Sequence, residues 1–333
     1  MPLKGYGVLA ARAVDRRREG SRDTPHYQIH LTDNAGTHYR AAVNVESQQA
    51  PSELLYLADD DFRHPVTELL PPAGSGWTAL VSQAGKASLD FIRGNLFDPA
   101  AMRMLPPDVE GADNDLADLL DHYVQRAIAD PTAAVYVFGQ RFGPEKNIPD
   151  KVFGFRPGNG VHDIHMNQGN SGRFHSDNGV WQDGALFVHL PAENRWIAIF
   201  LAFQSQAWHT ADQTGHPLDT APLRSGDRDE PLRIMAALVH PSGPAPEAIT
   251  VLNVSPAPVD LQGWRLTDLN QHTLPLPAGT LQPGGTLTVP GGNGFHLDNQ
   301  GGTITLVNPD GIKVHGVAYT AREGEREGRT ITF

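Results

Sequence analysis

The chain has no cysteine among its 333 residues. That absence removes disulfides, thiolate nucleophiles and cysteine-ligated zinc together, so chemistry falls to histidine, carboxylates and neutral polar groups. Long apolar runs are also missing, and none approaches the roughly 20 residues that a membrane-spanning helix needs. Positive charge is scarce: 26 Lys and Arg stand against 38 Asp and Glu, a formal net charge of −12. Such a balance disfavours a nucleic-acid surface, which needs clustered cations on phosphates. The acid excess sits in residues 1–230, with 30 acids against 20 bases. The opening residues, Met1-Pro2-Leu3-Lys4-Gly5-Tyr6-Gly7, lack the apolar core of a secretory signal, so a cytoplasmic protein is the expectation.

Glycine and proline are plentiful, 34 and 27 residues, which points to many turns and a large β content. The length suits two domains, each with its own core. Period-2 alternation in the segment from His26 to Leu31 puts His26, Gln28 and His30 on a wet face. Tyr27, Ile29 and Leu31 then form a packed one. Asp33-Asn34-Ala35-Gly36 signals a hairpin. Leu116, Leu119, Leu120, Tyr123 and Ala127 recur at helical spacing, predicting a helix from Asp115 to Ala129 capped by Asp113 or Asn114. Its early acids, Asp113, Asp115 and Asp118, suit the positive end of the helix dipole. Asp59-Asp60-Asp61 reads as an exposed acidic turn. Short strands are expected at 134–138, 152–155, 185–190 and 196–204, and a polar linker at 212–230. Beyond the linker, turns recur every eight to twelve residues, the pattern of a β-sandwich.

Asp260, Leu261, Gly263, Trp264, Leu266 and Asp268 are followed by a Leu281-Gln282-Pro283-Gly284 turn and by His315-Gly316-Val317-Ala318-Tyr319. With residues 248–253, this region resembles the lamin-tail domain. The resemblance implies an all-β immunoglobulin-like sandwich over 231–322, with Trp264 a core aromatic and a protein partner for the module. Lamin-tail domains of bacterial proteins are often joined to nucleases and other hydrolases. His272, His296 and His315 are read as isolated among its strands and turns.

Residues 1–225 resemble the YukJ-like family, a bacterial group defined by a domain of unknown function. The resemblance rests on Pro25-His26-Tyr27-Gln28-Ile29, Tyr39-Arg40-Ala41-Ala42-Val43-Asn44-Val45, Ser52-Glu53-Leu54-Leu55-Tyr56 and Leu89-Asp90-Phe91-Ile92-Arg93. It also rests on the runs 160–170 and 177–186. The fold implied is a mixed α/β or β-rich domain of open topology.

The run Gly160-Val161-His162-Asp163-Ile164-His165-Met166-Asn167-Gln168-Gly169-Asn170 carries the densest polar chemistry. Six of the fifteen histidines lie between His162 and His216. Three readings compete. In a hydrolase of phosphodiesterase-like type, His165 is nucleophile or general base, Asp163 its orienter, and His162, Asn167 and Asn170 complete the site. An extended segment places Asp163 and His165 on one side and His162 on the other. His175, Asp177, Asp183 and Arg156 are secondary members. The His-x-Lys pattern of phospholipase-D-like enzymes is absent, leaving Arg156, Arg173 and Arg141 as the cations nearby.

In the second reading His162, His165, His175, Asp163, Asp177 and Asp183 supply donors for a divalent metal such as zinc or manganese, without a diagnostic spacing. In the third, Gly160, Gly169 and Gly172 with Asn159, Asn167, Asn170 and Asn178 fold a tight loop. Such a loop can bind a small-molecule or polymer ligand without turnover, with Trp181 and Trp208 stacking on a sugar or base. His189 is expected to be a packed or edge residue, and His209, Gln204 and Gln206 are candidates for pocket lining.

Overall fold

A computed structural model describes residues 5–19, 26–45, 54–80, 95–97, 101–105, 115–163, 184–203, 231–292, 294–311 and 313–333. The chain divides into two compact units. The first holds Met1–Phe62, Leu70–Val81 and Met102–Gln206, and the second Arg63–Leu69, Ser82–Ala101 and Ala207–Phe333. The expected linker at 212–230 lies outside the described residues.

The first unit contains β1 (Tyr6–Arg18), β2 (His26–Thr32), β3 (His38–Asn44), β4 (Leu54–Asp59), β5 (Gly76–Ala79) and β6 (Arg103–Met104). Then follow α1 (Leu116–Ala129), β7 (Ala134–Glu145), β8 (Gly158–His162), β9 (Gly184–Leu190) and β10 (Arg195–Phe203). Five of these strands close on themselves in the order β1-β2-β3-β8-β7 and back to β1. Only β3 and β8 run parallel; the other four contacts of the ring are antiparallel. Closure works because β1 and β7 are long and change partners along their length. The first half of β1 pairs with β7 and its second half with β2, across a bulge between Ala13 and Asp15. This is the connectivity of an OB-type Greek-key barrel. Of the remaining strands, β5 pairs with β1, and the others extend from β7 through β9 and β10 to β4 and β6.

Alternation decides what the barrel encloses. Tyr27, Ile29, Leu31, Ala41, Val43, Val135, Val137 and Val161 are buried in one core with Leu116, Leu120, Tyr123 and Val124 of α1. Their neighbours His26, Gln28, His30, Arg40 and Asn44 take the outer face. The hairpin after β2 forms as expected, with Asp33 Oδ1 accepting from Ala35 N (2.9 Å) and Thr37 N (2.8 Å). Helix α1 is capped by Asp115, whose side chain accepts from Asp118 N at 2.9 Å. Asp113 and Asn114, the caps expected, lie outside the described residues. Asp118 does more than face the dipole, because it pairs with Arg18, while Asp121 pairs with Arg16 and accepts from Tyr27 Oη at 2.8 Å. Asp60 of the acidic turn pairs with Arg195 at 2.8 Å.

The stretch 152–155 is not the strand expected. Asp150 Oδ1 accepts from Val152 N (3.0 Å) and Phe153 N (2.9 Å) and holds it as a turn. Asn159 and Gly160 belong to β8 rather than to a loop.

The second unit is an immunoglobulin-like β structure, as the lamin-tail resemblance implies. Its strands are β11 (Leu232–Leu238), β12 (Ala248–Asn253), β13 (Val259–Asp260), β14 (Arg265–Thr267) and β15 (Thr273–Pro275). After them come β16 (Thr280–Leu281), β17 (Thr286–Pro290), β18 (Gly301–Val307), β19 (Lys313–Thr320) and β20 (Thr330–Thr332). One four-stranded sheet runs β17-β12-β11-β20, and the other β15-β14-β18-β19. Trp264 lies in the core between them with Leu266, Ile304 and Tyr319. This unit also takes in an early part of the chain. Asn95 (φ 49°) is buried and donates Nδ2 to Ile304 O at 2.8 Å, Thr305 Oγ1 at 2.9 Å and Val317 O at 3.3 Å.

Candidate active site

The parallel pairing of β3 with β8 sets Ala42 opposite His162, while β2 sets Gln28 opposite Ala42 and His26 opposite Asn44. The small Ala42 side chain leaves room above the sheet for two imidazoles to meet. His26 Nε2 and His162 Nε2 are 2.9 Å apart, with the rings edge to face at 86°. Behind each ring stands a carboxylate: Glu19 Oε2 is 3.4 Å from His26 Nδ1, and Asp163 Oδ1 is 3.5 Å from His162 Nδ1. These are ion-pair separations, longer than good hydrogen bonds.

Close backbone approach fixes this end of β8. A Cβ on Gly139 would lie 2.1 Å from the His162 carbonyl oxygen, and one on Gly184 would lie 2.3 Å from that of Asp163. The strand ends at His162 and the chain bends at Asp163. Extended geometry would have put Asp163 and His162 on opposite sides, but the bend brings the carboxylate back beside His162. Asp163 is buried and accepts from Asn44 N (3.1 and 3.2 Å) and Asn44 Nδ2 (3.2 Å).

A polar relay continues across the outer face. Gln28 Nε2 donates to Glu19 Oε2 (2.7 Å), Arg40 Nη1 donates to Gln28 Oε1 (2.8 Å), and Arg40 Nε donates to Asp150 Oδ2 (2.7 Å). Burial pushes the Asp150 carboxyl up, but hydrogen bonds from Phe153 N and Arg40 win and hold it below the ordinary range. Burial pushes His26 below the ordinary imidazole value, against the opposing pull of Glu19. Farther along, His30 Nε2 is 2.9 Å from His38 Nδ1, and the His30 ring stacks on Phe153 and Phe155, both at 5.0 Å.

Of the residues read from the sequence as a site, His162 and Asp163 come together. His165, Asn167, Asn170, His175, Asp177 and Asp183 lie outside the described residues, as do Arg173, Trp181, Trp208, His209, Gln204 and Gln206. Arg156 is exposed in the loop before β8. Arg141 sits opposite Val161 and over the Trp77 ring at 5.8 Å, on the other side of the sheet from His162. The outer face carries Arg40 and also Arg17, which pairs in register with Gln28 and lies over the Phe153 ring at 5.1 Å. His189 stacks on Trp196 at 4.1 Å, as a packed strand residue. Among the described residues no group of three or more His, Asp or Glu side chains is arranged to hold a metal. In the second unit the histidines are not isolated: His272 Nδ1 is 3.1 Å from Asp268, His296 Nδ1 is 2.8 Å from Glu247, and His315 Nδ1 accepts from Ile234 N.

Sequence reasoning missed His26, Glu19 and Asn44 as partners of the motif. The signal available was His26 on a wet strand face, within a segment shared with the YukJ-like family.

Comparison with known proteins fixes the class to which this barrel belongs. Residues 1–215 match the model of the family described as "Uncharacterized conserved protein (DUF2278)", and the chain belongs to that family. Residues 229–321 match the Lamin Tail Domain. Among individual proteins, "Uncharacterized protein YukJ" of Bacillus subtilis (strain 168) is 44% identical over 220 residues, which is 66% of this chain and 96% of that protein. Among the described residues no helix is long and apolar enough to cross a membrane.

Proposed function

We propose that the first unit is a hydrolase of the phosphodiesterase type, with its centre at the imidazole pair of His162 and His26. The observation that carries this reading is the 2.9 Å approach of two Nε2 atoms, each ring backed by a carboxylate. Imidazoles oriented by carboxylates activate water or carry protons near neutral pH. In this reading Asp163 orients His162, and Glu19 orients His26. His165, Asn167 and Asn170 take catalytic roles in the same reading, and His175, Asp177, Asp183 and Arg156 secondary ones; all of these but Arg156 lie outside the described residues. The test is turnover of bis-p-nitrophenyl phosphate and related esters, with and without Mn²⁺ or Zn²⁺. Turnover lost in His162→Ala and in His26→Ala supports the reading; turnover equal to wild type in both ends it.

A second reading is a ligand-binding protein without turnover. It is supported by the position of the pair, since the outer face of the second and third strands is where OB-type barrels take their ligands. The stack of His30 on Phe153 and Phe155 gives that face a flat aromatic surface. Ligand protection of this face from hydrogen exchange, with no product from any ester, separates this reading from the first.

A further inference from the structure

Arg141 of β7 stands opposite Val161 of β8, a core residue, so its side chain starts on the inner side of the barrel. Its Nε is buried without a hydrogen-bond partner, and among the described residues its guanidinium forms no ion pair. In this acid-rich unit Arg16, Arg18, Arg40, Arg126 and Arg195 all meet carboxylates. Asn159 lies on the same face of β8, two residues before Val161. It is 2% exposed, and its Oδ1 is likewise buried without a partner. Diagonal neighbours on an antiparallel pair sit roughly 7–8 Å apart, within reach of a long side chain. We propose that Arg141 and Asn159 form a binding site for a small oxyanion, a phosphate or a carboxylate, at one end of the barrel interior.

The surroundings present the guanidinium to such a ligand. Trp77 of β5 pairs with Leu9, which puts it on the inner side too, and Arg141 lies over its ring at 5.8 Å. Stacking uses the face of a guanidinium and leaves the N–H groups in its plane free. The edge formed by Nε–H and one Nη–H matches two oxygens of a phosphate or carboxylate. The charge of Arg141 reaches Tyr39, where burial and Asp33 push the phenol up and Arg141 pulls it back. Tyr39 Oη donates to Asp33 Oδ2 at 2.9 Å, and Asp33 also accepts from Ala35 N and Thr37 N. That carboxylate is therefore committed to its own turn rather than to Arg141. Asn159 has no hydrogen bond that decides which amide atom points inward. It can offer Nδ2 to an anionic oxygen or Oδ1 to a protonated one. Arg141 and Trp77 are half-buried, so solvent reaches this end of the barrel. The site is separate from the imidazole pair, because β8 turns Asn159 and Val161 inward and His162 outward.

The test is titration of the full-length protein with inorganic phosphate and, separately, with acetate, read from the arginine Nε–H resonances of ¹⁵N-labelled wild type. The Arg141 resonance, identified by its loss in Arg141→Lys, should move and saturate as one site fills. Saturation by phosphate alone assigns a phosphoryl ligand, and saturation by acetate alone a carboxylate; either supports the site. In calorimetric titrations Arg141→Lys should weaken binding about tenfold or more, because lysine keeps the charge without the fork. Asn159→Ala should weaken it roughly twofold to tenfold, the loss of one hydrogen bond. Arg126→Gln, at an arginine already paired with Glu193, should bind as the wild type does. No saturable binding of either anion, an unmoved Arg141 resonance, or affinity unchanged in both Arg141→Lys and Asn159→Ala overturns the site. Binding lost in His162→Gln but kept in Arg141→Lys overturns it too, since the anion then sits at the imidazole pair.

Discussion

Asn44 grips Asp163 twice, with its backbone N–H at 3.1 Å from Oδ2 and its side-chain Nδ2 at 3.2 Å from Oδ1. The two residues are 119 positions apart in the chain, and both are buried. The contact fixes the carboxylate behind His162 and ties the end of β8 to the end of β3.

Replacing Asp163 by Ala therefore leaves two buried donors of Asn44 without this acceptor. The expected cost is about 1–3 kcal/mol, the penalty for stranding buried polar groups. Asp163→Asn keeps the shape but removes the charge behind His162, so it should lose activity more than stability. Urea unfolding beside kcat/KM for each variant distinguishes the two effects.

Gly139 and Gly184 admit the backbone of His162 and Asp163 at distances where a methyl group has no room. Gly139→Ala and Gly184→Ala should each destabilise the barrel by roughly 1–3 kcal/mol through overpacking against backbone. Both should also displace the imidazole pair. Gly292→Ala is the control, because a Cβ there meets open space and the backbone is not left-handed. A midpoint of urea unfolding for Gly139→Ala equal to wild type contradicts the packing described.

Acidification should weaken the first unit. Burial first, and the neighbouring His38 second, depress the pKa of His30; Arg17 adds to this, and Asp15 and Asp150 oppose it. The unfolded chain, with histidine near 6.5, then takes up more protons than the folded one as pH falls. The stability from neutral His30 is complete above about pH 6.5 and declines as pH drops through that value. It levels off below the depressed folded pKa. Urea midpoints at pH 7.5 and 5.5 should fall less in His30→Gln than in the wild type, and equal falls contradict the assignment.

Asn95 is expected to stabilise the second unit from far outside the lamin-tail match. Its Nδ2 serves Ile304 O, Thr305 Oγ1 and Val317 O, and a Cβ on Gly316 would lie 1.9 Å from its Oδ1. Asn95→Ala should speed amide exchange in β18 and β19 about tenfold or more, the equivalent of about 1.4 kcal/mol for lost buried hydrogen bonds. Exchange in β2 and β3 reports on the barrel and should stay as in the wild type.

What the sequence reveals depends on the range of the interaction. Tyr27, Ile29 and Leu31 against His26, Gln28 and His30 is a local alternation, and it separates the two faces of β2 correctly, although Gln28 on the expected wet face is buried between Glu19 and Arg40. The Asp33–Gly36 turn, helix α1 and the core position of Trp264 are local or motif-borne and are equally readable. Barrel closure is not, because the parallel pairing of β3 with β8 joins segments about 120 residues apart. A separation of 136 residues likewise hides His26 from His162. At 152–155 the apolar residues Val152, Phe153 and Phe155 suggest a strand, but the Asp150 carboxylate competes for their amides and makes a turn. Periodicity also places Asp163 away from His162, since it cannot foresee that the strand stops there.

The central claim, that His26 and His162 act as one unit, is tested most directly by a double-mutant cycle on kcat/KM for bis-p-nitrophenyl phosphate. The wild type, His26→Ala, His162→Ala and the double variant are compared in the same buffer. Each single substitution should lower kcat/KM by at least about a hundredfold, and the double variant should lose little more than either single one. Losses that multiply in the double variant, or a single variant as active as the wild type, contradict the account.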